Sequence, residues 1–285
     1  MTTWQSTELL PVAEHYEIRD GVNGGETRFL LERDGAYGGR TRRYNPYEWP
    51  ELPGRLAQIA YGDETSALEF AHKWGVLGYK ELKEHSRFRA DDVFYGDLME
   101  SGETLVGDPL GWIWDHVRAA RMALNLVRLL NEGRPDKTED YLKSISDDGE
   151  LMYVAGVEFQ GRPFGFGSFD VPLRRARWFL MHILNENMGD YLSPQYAPGP
   201  NETLVRSHSA PALLPVIYAH IGDAAEGKLG YYQCARRDCD KWSHTYRESR
   251  GPKRRFCPPE QGESDSLCAR MERYYKSREP KETGT

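Results

Sequence analysis

All four cysteines of this 285-residue chain, Cys234, Cys239, Cys257 and Cys268, fall in its last fifth. They stand as Cys-x4-Cys, then 17 residues, then Cys-x10-Cys. Clustered thiols of this kind are either disulfide staples or metal ligands. Disulfide scaffolds are usually short secreted chains that carry a signal peptide. The N-terminus here, Met1-Thr-Thr-Trp-Gln-Ser-Thr-Glu8, has no basic segment followed by an apolar one. A cytoplasmic protein is therefore expected, and in a reducing compartment the thiols read as ligands. Thiolate sulfur suits zinc, and a closed four-cysteine site is structural, with no open position for chemistry. Such binding supplies on the order of 10–16 kcal/mol of apparent folding free energy. A tail poor in aliphatic residues needs such a staple. His244 is the alternative to Cys268 as the fourth ligand.

Charge is divided in the same way as cysteine. The whole chain carries a formal charge of −7. From Lys228 to Thr285 there are 14 basic residues against 9 acidic, whereas the preceding residues hold 23 against 35. An acidic body with a basic tail directs any anionic partner to the tail. Arg247, Arg250, Lys253, Arg254 and Arg255 fall within nine residues that hold one acid, Glu248. Gly251-Pro252 bends that run into a loop between the two halves of the cysteine set. A loop pinned at both ends presents its cations to a phosphate backbone. Leu267, Met271 and Tyr274 recur at helical spacing, so a helix is expected to carry Cys268 and to display Arg270 and Arg273 beside that seam. The partner so implied is nucleic acid, with DNA ahead of RNA. The alternative is that these cations only neutralise the thiolates and solubilise the tail. Arg236, Arg237 and Lys241 stand near the first two cysteines in sequence, and Trp242, Tyr232 and Phe256 are expected on the flank of the centre.

The tail resembles the CGNR-type zinc finger of bacterial proteins, in the wider treble-clef-like class. The resemblance lies in Cys234-x4-Cys239, the nearby Trp242, the basic run before Phe256-Cys257, and a final cysteine opening a basic helix. It covers about residues 228–279. The hallmark Cys-Gly-Asn-Arg reads Cys268-Ala-Arg-Met271 here, and the gap before that cysteine is longer than in the family. The resemblance implies zinc held by Cys234, Cys239, Cys257 and Cys268. It also implies a stress-linked transcription regulator that binds DNA. Family members often carry an ABATE-type N-terminal domain, which residues 44–78 faintly suggest.

Ahead of the tail, periodicity predicts an α+β body, mostly helical with a small β portion. Residues 13–19 and 26–32 read as strands about a turn at 20–25, with another strand possible in 37–44. Helices are expected from Pro50 to about Tyr61, after Asp63 as cap (Ala67, Phe70, Ala71, Trp74), after Asp108 as cap with Pro109 at the first helical position (Ile113, Val117, Ala120, Leu124, Val127, ended by Gly133 and Pro135), and from Asp170 (Leu173, Ala176, Leu180, Leu184). Residues 151–159 and 164–169 read as a strand pair, 193–211 as a loop, and 213–221 as an apolar segment. The division expected is 1–222 for the body and 223–285 for the finger. The longest apolar run, Trp178 to Leu184, is interrupted by His182, far short of the roughly 20 residues a membrane span needs. No membrane role is expected. Phosphate-loop, nucleophile-elbow, zinc-protease and dinucleotide signatures are absent. No catalytic residue is assigned. Asp115-His116 is expected on the helix surface, or as a satisfied polar pair, rather than as a base and its orienter, and the tryptophans at 74, 112, 114 and 178 read as packing. The body is left to sense a small molecule or to bind a partner protein. The competing readings are an interaction or structural protein whose zinc only stabilises the fold and, third, an enzyme built in the helical body with zinc incidental.

Overall fold

Four short strands open the chain: β1 (Leu10–Val12), β2 (Tyr16–Asp20), β3 (Arg28–Glu32) and β4 (Arg42–Tyr44). β1 pairs antiparallel with β4, and β2 with β3, so the two strands expected on either side of residues 20–25 pair with each other. The computed structural model describes residues 9–20, 28–32, 42–84, 107–145, 152–154, 157–159, 171–188, 191–198, 204–239, 241–246, 256–259 and 265–278. Helices α1 (Leu52–Gln58), α2 (Glu64–Trp74) and α3 (Tyr79–Glu84) follow. The Asp63 carboxylate accepts the Thr65 amide at 3.1 Å and caps α2, which buries Ala67, Phe70, Ala71 and Trp74 as its spacing requires.

Next come β5 (Gly107–Pro109), which joins β3 to make a three-stranded sheet, and α4 (Leu110–Glu132). The expected seam of α4 is buried throughout, and Gly133 closes the helix in the left-handed region at φ 65°. α4 is the axis of the body, with α1 and the helices from further along the chain packed around it. Arg121 on α4 donates to the carbonyls of Ala57 (2.9 and 3.1 Å) and Ile59 (3.0 Å). It thereby satisfies acceptors that the end of α1 leaves open.

One expectation is corrected here. Asp108 does not cap the helix it precedes, since Pro109 stands at that position without a side-chain cap bond. The Asp108 carboxylate instead accepts the amides of Leu77 (2.5 Å), Gly78 (3.1 Å) and Tyr79 (2.8 Å), and so caps α3 across the fold. Gly78 makes this possible. Its φ is +96°, and a Cβ there would stand 2.3 Å from the Cβ of Ala212.

The rest of the body is α5 (Pro135–Ile145), β6 (Met152–Val154), β7 (Val157–Phe159), α6 (Pro172–Met188), β8 (Ser193–Pro198), β9 (Leu204–Ser209) and α7 (Leu213–Ala225). Pro135 ends nothing; it opens α5, where its missing N–H costs little. The segment expected as one strand over 151–159 instead holds two short strands, β6 paired antiparallel with β7; its expected partner, residues 164–169, lies outside the described residues. The segment expected as a loop over 193–211 contains the antiparallel pair β8–β9. α6 forms as predicted but buries Ala176, Phe179, Leu180, Ile183 and Asn187, whereas Leu173 and Leu184 are only half-buried. α7 is buried along almost its whole length between α6, α4 and α1.

The tail supplies β10 (Leu229–Gln233), β11 (Trp242–Tyr246) and α8 (Leu267–Arg278), with β10 and β11 an antiparallel hairpin. Helices dominate the body and its sheets are small, so the chain is α+β. No helix among the described residues is long and apolar enough to cross a membrane.

Candidate metal centre

The hairpin delivers the first two cysteines. Cys234 follows β10 directly, and its amide extends the ladder to the carbonyl of Lys241 at 2.9 Å. The chain then folds back, with the Cys239 amide donating to Arg236 at 3.0 Å. Cys257 arrives from the short described segment 256–259. That segment is tied to the hairpin by the Tyr232 hydroxyl, which donates to the Phe256 carbonyl at 3.0 Å. Cys268 lies in the first turn of α8. Ser266 caps that helix, its hydroxyl accepting the Ala269 amide at 3.1 Å while its carbonyl accepts the Arg270 amide at 3.1 Å. A thiolate in this place faces the positive end of a helix.

The four sulfurs lie within 4.8 Å of one another. Cys239 Sγ is 3.7 Å from Cys257 Sγ and 3.8 Å from Cys268 Sγ. A tetrahedron with metal–sulfur bonds of about 2.3 Å has sulfur–sulfur edges of about 3.8 Å. The spacing thus matches a shared ion and is far too long for a disulfide, which needs about 2.05 Å. All four cysteines are free. Cys234 and Cys268 are buried, and Cys239 and Cys257 are half-buried. Four thiolates are soft, anionic donors, so the set fits a divalent metal ion.

Electrostatics at the centre points the same way. Burial alone would raise the Cys234 thiol, but the amides of Arg236 and Cys257 donate to its sulfur and bring its pKa below the usual thiol value. Burial, then the crowding of neighbouring sulfurs, pushes Cys257 well above it. Burial likewise raises Cys268. Sulfurs so crowded ionise together only beside a cation. Arg236 contributes one. Although burial opposes its charge, the Cys268, Cys239 and Cys234 thiolates and Asp238 hold its pKa up, and its Nε lies 2.7 Å from Asp238 Oδ1.

The turn between Cys234 and Cys239 is also held to α8. The Arg237 guanidinium lies 5.3 Å from the centroid of the Tyr275 ring, and the Tyr275 hydroxyl stands 3.5 Å from Asp238 Oδ2. Sequence reasoning missed these contacts, and it missed Ser266. The signal for Ser266 was there: a serine one residue ahead of a helical repeat is a cap type.

His244 sits on β11 opposite Tyr231, with Glu51 and Arg55 as its charged neighbours, and is not in the sulfur cluster; Cys268 is. Trp242 does not flank the centre. It is 6% exposed and belongs, with Leu229 and Tyr231, to the main core of the body. Its Cβ would meet a Cβ at Gly54 of α1 at 3.0 Å, and its carbonyl accepts Gln58 Nε2 at 3.0 Å. The Tyr231 hydroxyl donates to the Pro50 carbonyl at 2.5 Å. On α8 the helix is as predicted but the inward face is not. Leu267 and Tyr274 are exposed, while Cys268, Ala269 and Glu272 are buried. Arg270 and Arg273 are exposed, with Arg273 paired to Asp265. Arg247, Arg250, Lys253, Arg254 and Arg255 lie outside the described residues.

In the body, His116 is buried, with its Nδ1 3.1 Å from the Tyr218 hydroxyl and the Trp112 ring 4.5 Å away. It is a satisfied polar contact inside the core. Trp74, Trp112 and Trp114 are core residues, and Trp178 packs partly buried against that core.

Comparison of the chain with family models, with curated proteins and with solved structures finds no match in any of the three.

Proposed function

We propose that Cys234, Cys239, Cys257 and Cys268 hold one zinc ion, and that the chain is a regulator, of the bacterial CGNR kind, that binds DNA through this finger. The observation that carries the metal reading is the sulfur spacing of 3.7–3.8 Å, the edge of a zinc–thiolate tetrahedron. Bound zinc would supply a dication that lets all four sulfurs ionise and joins the hairpin to α8. It leaves no open position for water or substrate, so its role is structural. Two formal negative charges remain at such a centre, and Arg236 stands against them.

The nucleic-acid reading is supported by the cations that surround the centre in the sequence. Arg247, Arg250, Lys253, Arg254 and Arg255 run between the second and third cysteines, and Arg270 and Arg273 are exposed on α8. If the five cations of the run engage duplex phosphates, log K falls with log salt at a slope of about −4.5. Fluorescence anisotropy of a labelled duplex across a salt series measures it. Arg254→Ala with Arg255→Ala should reduce the magnitude of the slope by about 2 and leave the zinc bound. Unchanged affinity in that double variant, with metal retained, refutes DNA binding by the run.

A second reading has its own support: Leu229, Tyr231 and Trp242 are built into the core of the body. On that reading zinc stabilises the fold, and the exposed surface serves a protein partner. Salt-independent behaviour towards DNA favours it. The body, under either reading, senses a ligand or mediates association.

A further inference from the structure

We propose that the thiolate centre is also a peroxide-sensitive switch, in which Cys239 and Cys257 join as a disulfide and release the ion; this rests on the metal reading above. The four ligands are not equally held. Cys234 is buried and locked by the hairpin ladder, and Cys268 is buried in the first turn of a capped helix. Cys239 and Cys257 are both half-buried, so an oxidant as small as hydrogen peroxide reaches them first. Neither belongs to a helix or a strand: Cys239 closes a turn, and Cys257 lies in an irregular segment. Their sulfurs are 3.7 Å apart, and bond formation at about 2.05 Å needs roughly 1.7 Å of combined travel. Cys268 is about as near to Cys239, at 3.8 Å, but α8 would have to shift to follow it.

The chemistry balances with one peroxide. One thiolate attacks a peroxide oxygen; the O–O bond breaks, giving a sulfenic acid and hydroxide. The other thiolate attacks that sulfur; an S–S bond forms, the S–O bond breaks, and a second hydroxide leaves. Two protons from solvent convert both hydroxides to water. The two sulfurs lose two electrons in all, and the peroxide gains them. Cys234 and Cys268 are then the only thiolates left, too few for a closed tetrahedral site, so the zinc departs. The new bond keeps the two ends of the basic segment together. α8 loses its link to the hairpin through the ion.

The test uses the full-length, reduced protein. Its metal content is measured first. Hydrogen peroxide is then added at one equivalent, released zinc is followed with a chromogenic chelator, and disulfides are mapped by mass spectrometry of unreduced peptides. The proposal predicts one zinc released per peroxide consumed, a dominant Cys239–Cys257 link, and recovery of bound zinc after dithiothreitol and added zinc. A dominant link through Cys234 or Cys268, sulfinic acid without a link, or zinc retained at tenfold peroxide excess overturns it. If the reduced protein holds no metal, the metal reading fails separately and the switch fails as an ion-releasing device.

Discussion

Replacing Trp242 with alanine tests whether the finger hairpin is part of the body or an appendage to it. Trp242 stands between the second and third cysteines in sequence, yet its side chain is in the main core, against α1. A buried tryptophan covers about 150–250 Å², and at about 25 cal/mol per Å² that is about 4–6 kcal/mol of apolar burial. Partial collapse around the cavity offsets some of the loss, and such truncations cost about 3–5 kcal/mol. The Gln58 bond to its carbonyl is to backbone and survives. Urea unfolding followed at the helical circular-dichroism band reports mainly the body. With a denaturant slope of about 3 kcal/mol per molar, the midpoint should fall by about 1 M or more, in one transition. Zinc measured on the same samples separates packing from metal loss. A loss below about 1 kcal/mol in the main transition, or a separate early transition, would falsify the claim that the hairpin is built into the core.

The buried polar groups of the body make further predictions. Burial pushes His116 from 6.5 to about 3, so the folded state keeps it neutral while the unfolded chain is protonated near 6.5. Its contribution is intact above that pH and is lost as pH falls towards 3, up to about 5 kcal/mol at 1.36 kcal/mol per unit. His116→Gln should flatten the fall of the melting temperature between pH 7 and 4; an unchanged slope refutes the buried neutral imidazole. Burial pushes the Asp108 carboxyl the other way, up to about 7 against its three amide bonds, so it weakens the fold as pH rises from about 4 to 7. The comparison of variant with parent isolates the histidine from this opposing slope. Asp108→Ala strands three amides in the interior, and at about 1–3 kcal/mol each the loss should be at least about 3 kcal/mol in urea. A loss under 1 kcal/mol contradicts the cap on α3. Ser266→Ala should cost about 1 kcal/mol through the start of α8 and raise the rate of zinc transfer to a chelator; an unchanged rate refutes its link to Cys268.

The parts legible in the sequence are those that local spacing decides. α4 shows its seam because a helix buried along one side must repeat its apolar residues at 3.6, and α2 announces itself through Asp63 for the same local reason. The cysteine set is legible because few folds place four thiols so close in sequence. What is illegible depends on partners far along the chain. Asp108-Pro109 has the form of a cap, but the carboxylate turns to amides some 30 residues earlier, and no local pattern records that. Trp242 looks like a companion of the cysteines beside it; strand alternation on β11 and the small Gly54 send it to α1 instead. On α8 the apolar repeat has the right period but the wrong face. The cysteine, rather than a hydrophobic stripe, decides which side turns inward, leaving Leu267 and Tyr274 in solvent. The β8–β9 pair hides among prolines and polar residues that read equally as loop.

Metal content tests the four-sulfur centre most directly. Elemental analysis of the reduced protein, beside Cys268→Ser and His244→Ala variants, should find one zinc per chain in the parent and in His244→Ala, and none retained in Cys268→Ser. Zinc held fully by Cys268→Ser, or a parent protein that binds no zinc when it is supplied, contradicts the four-sulfur centre.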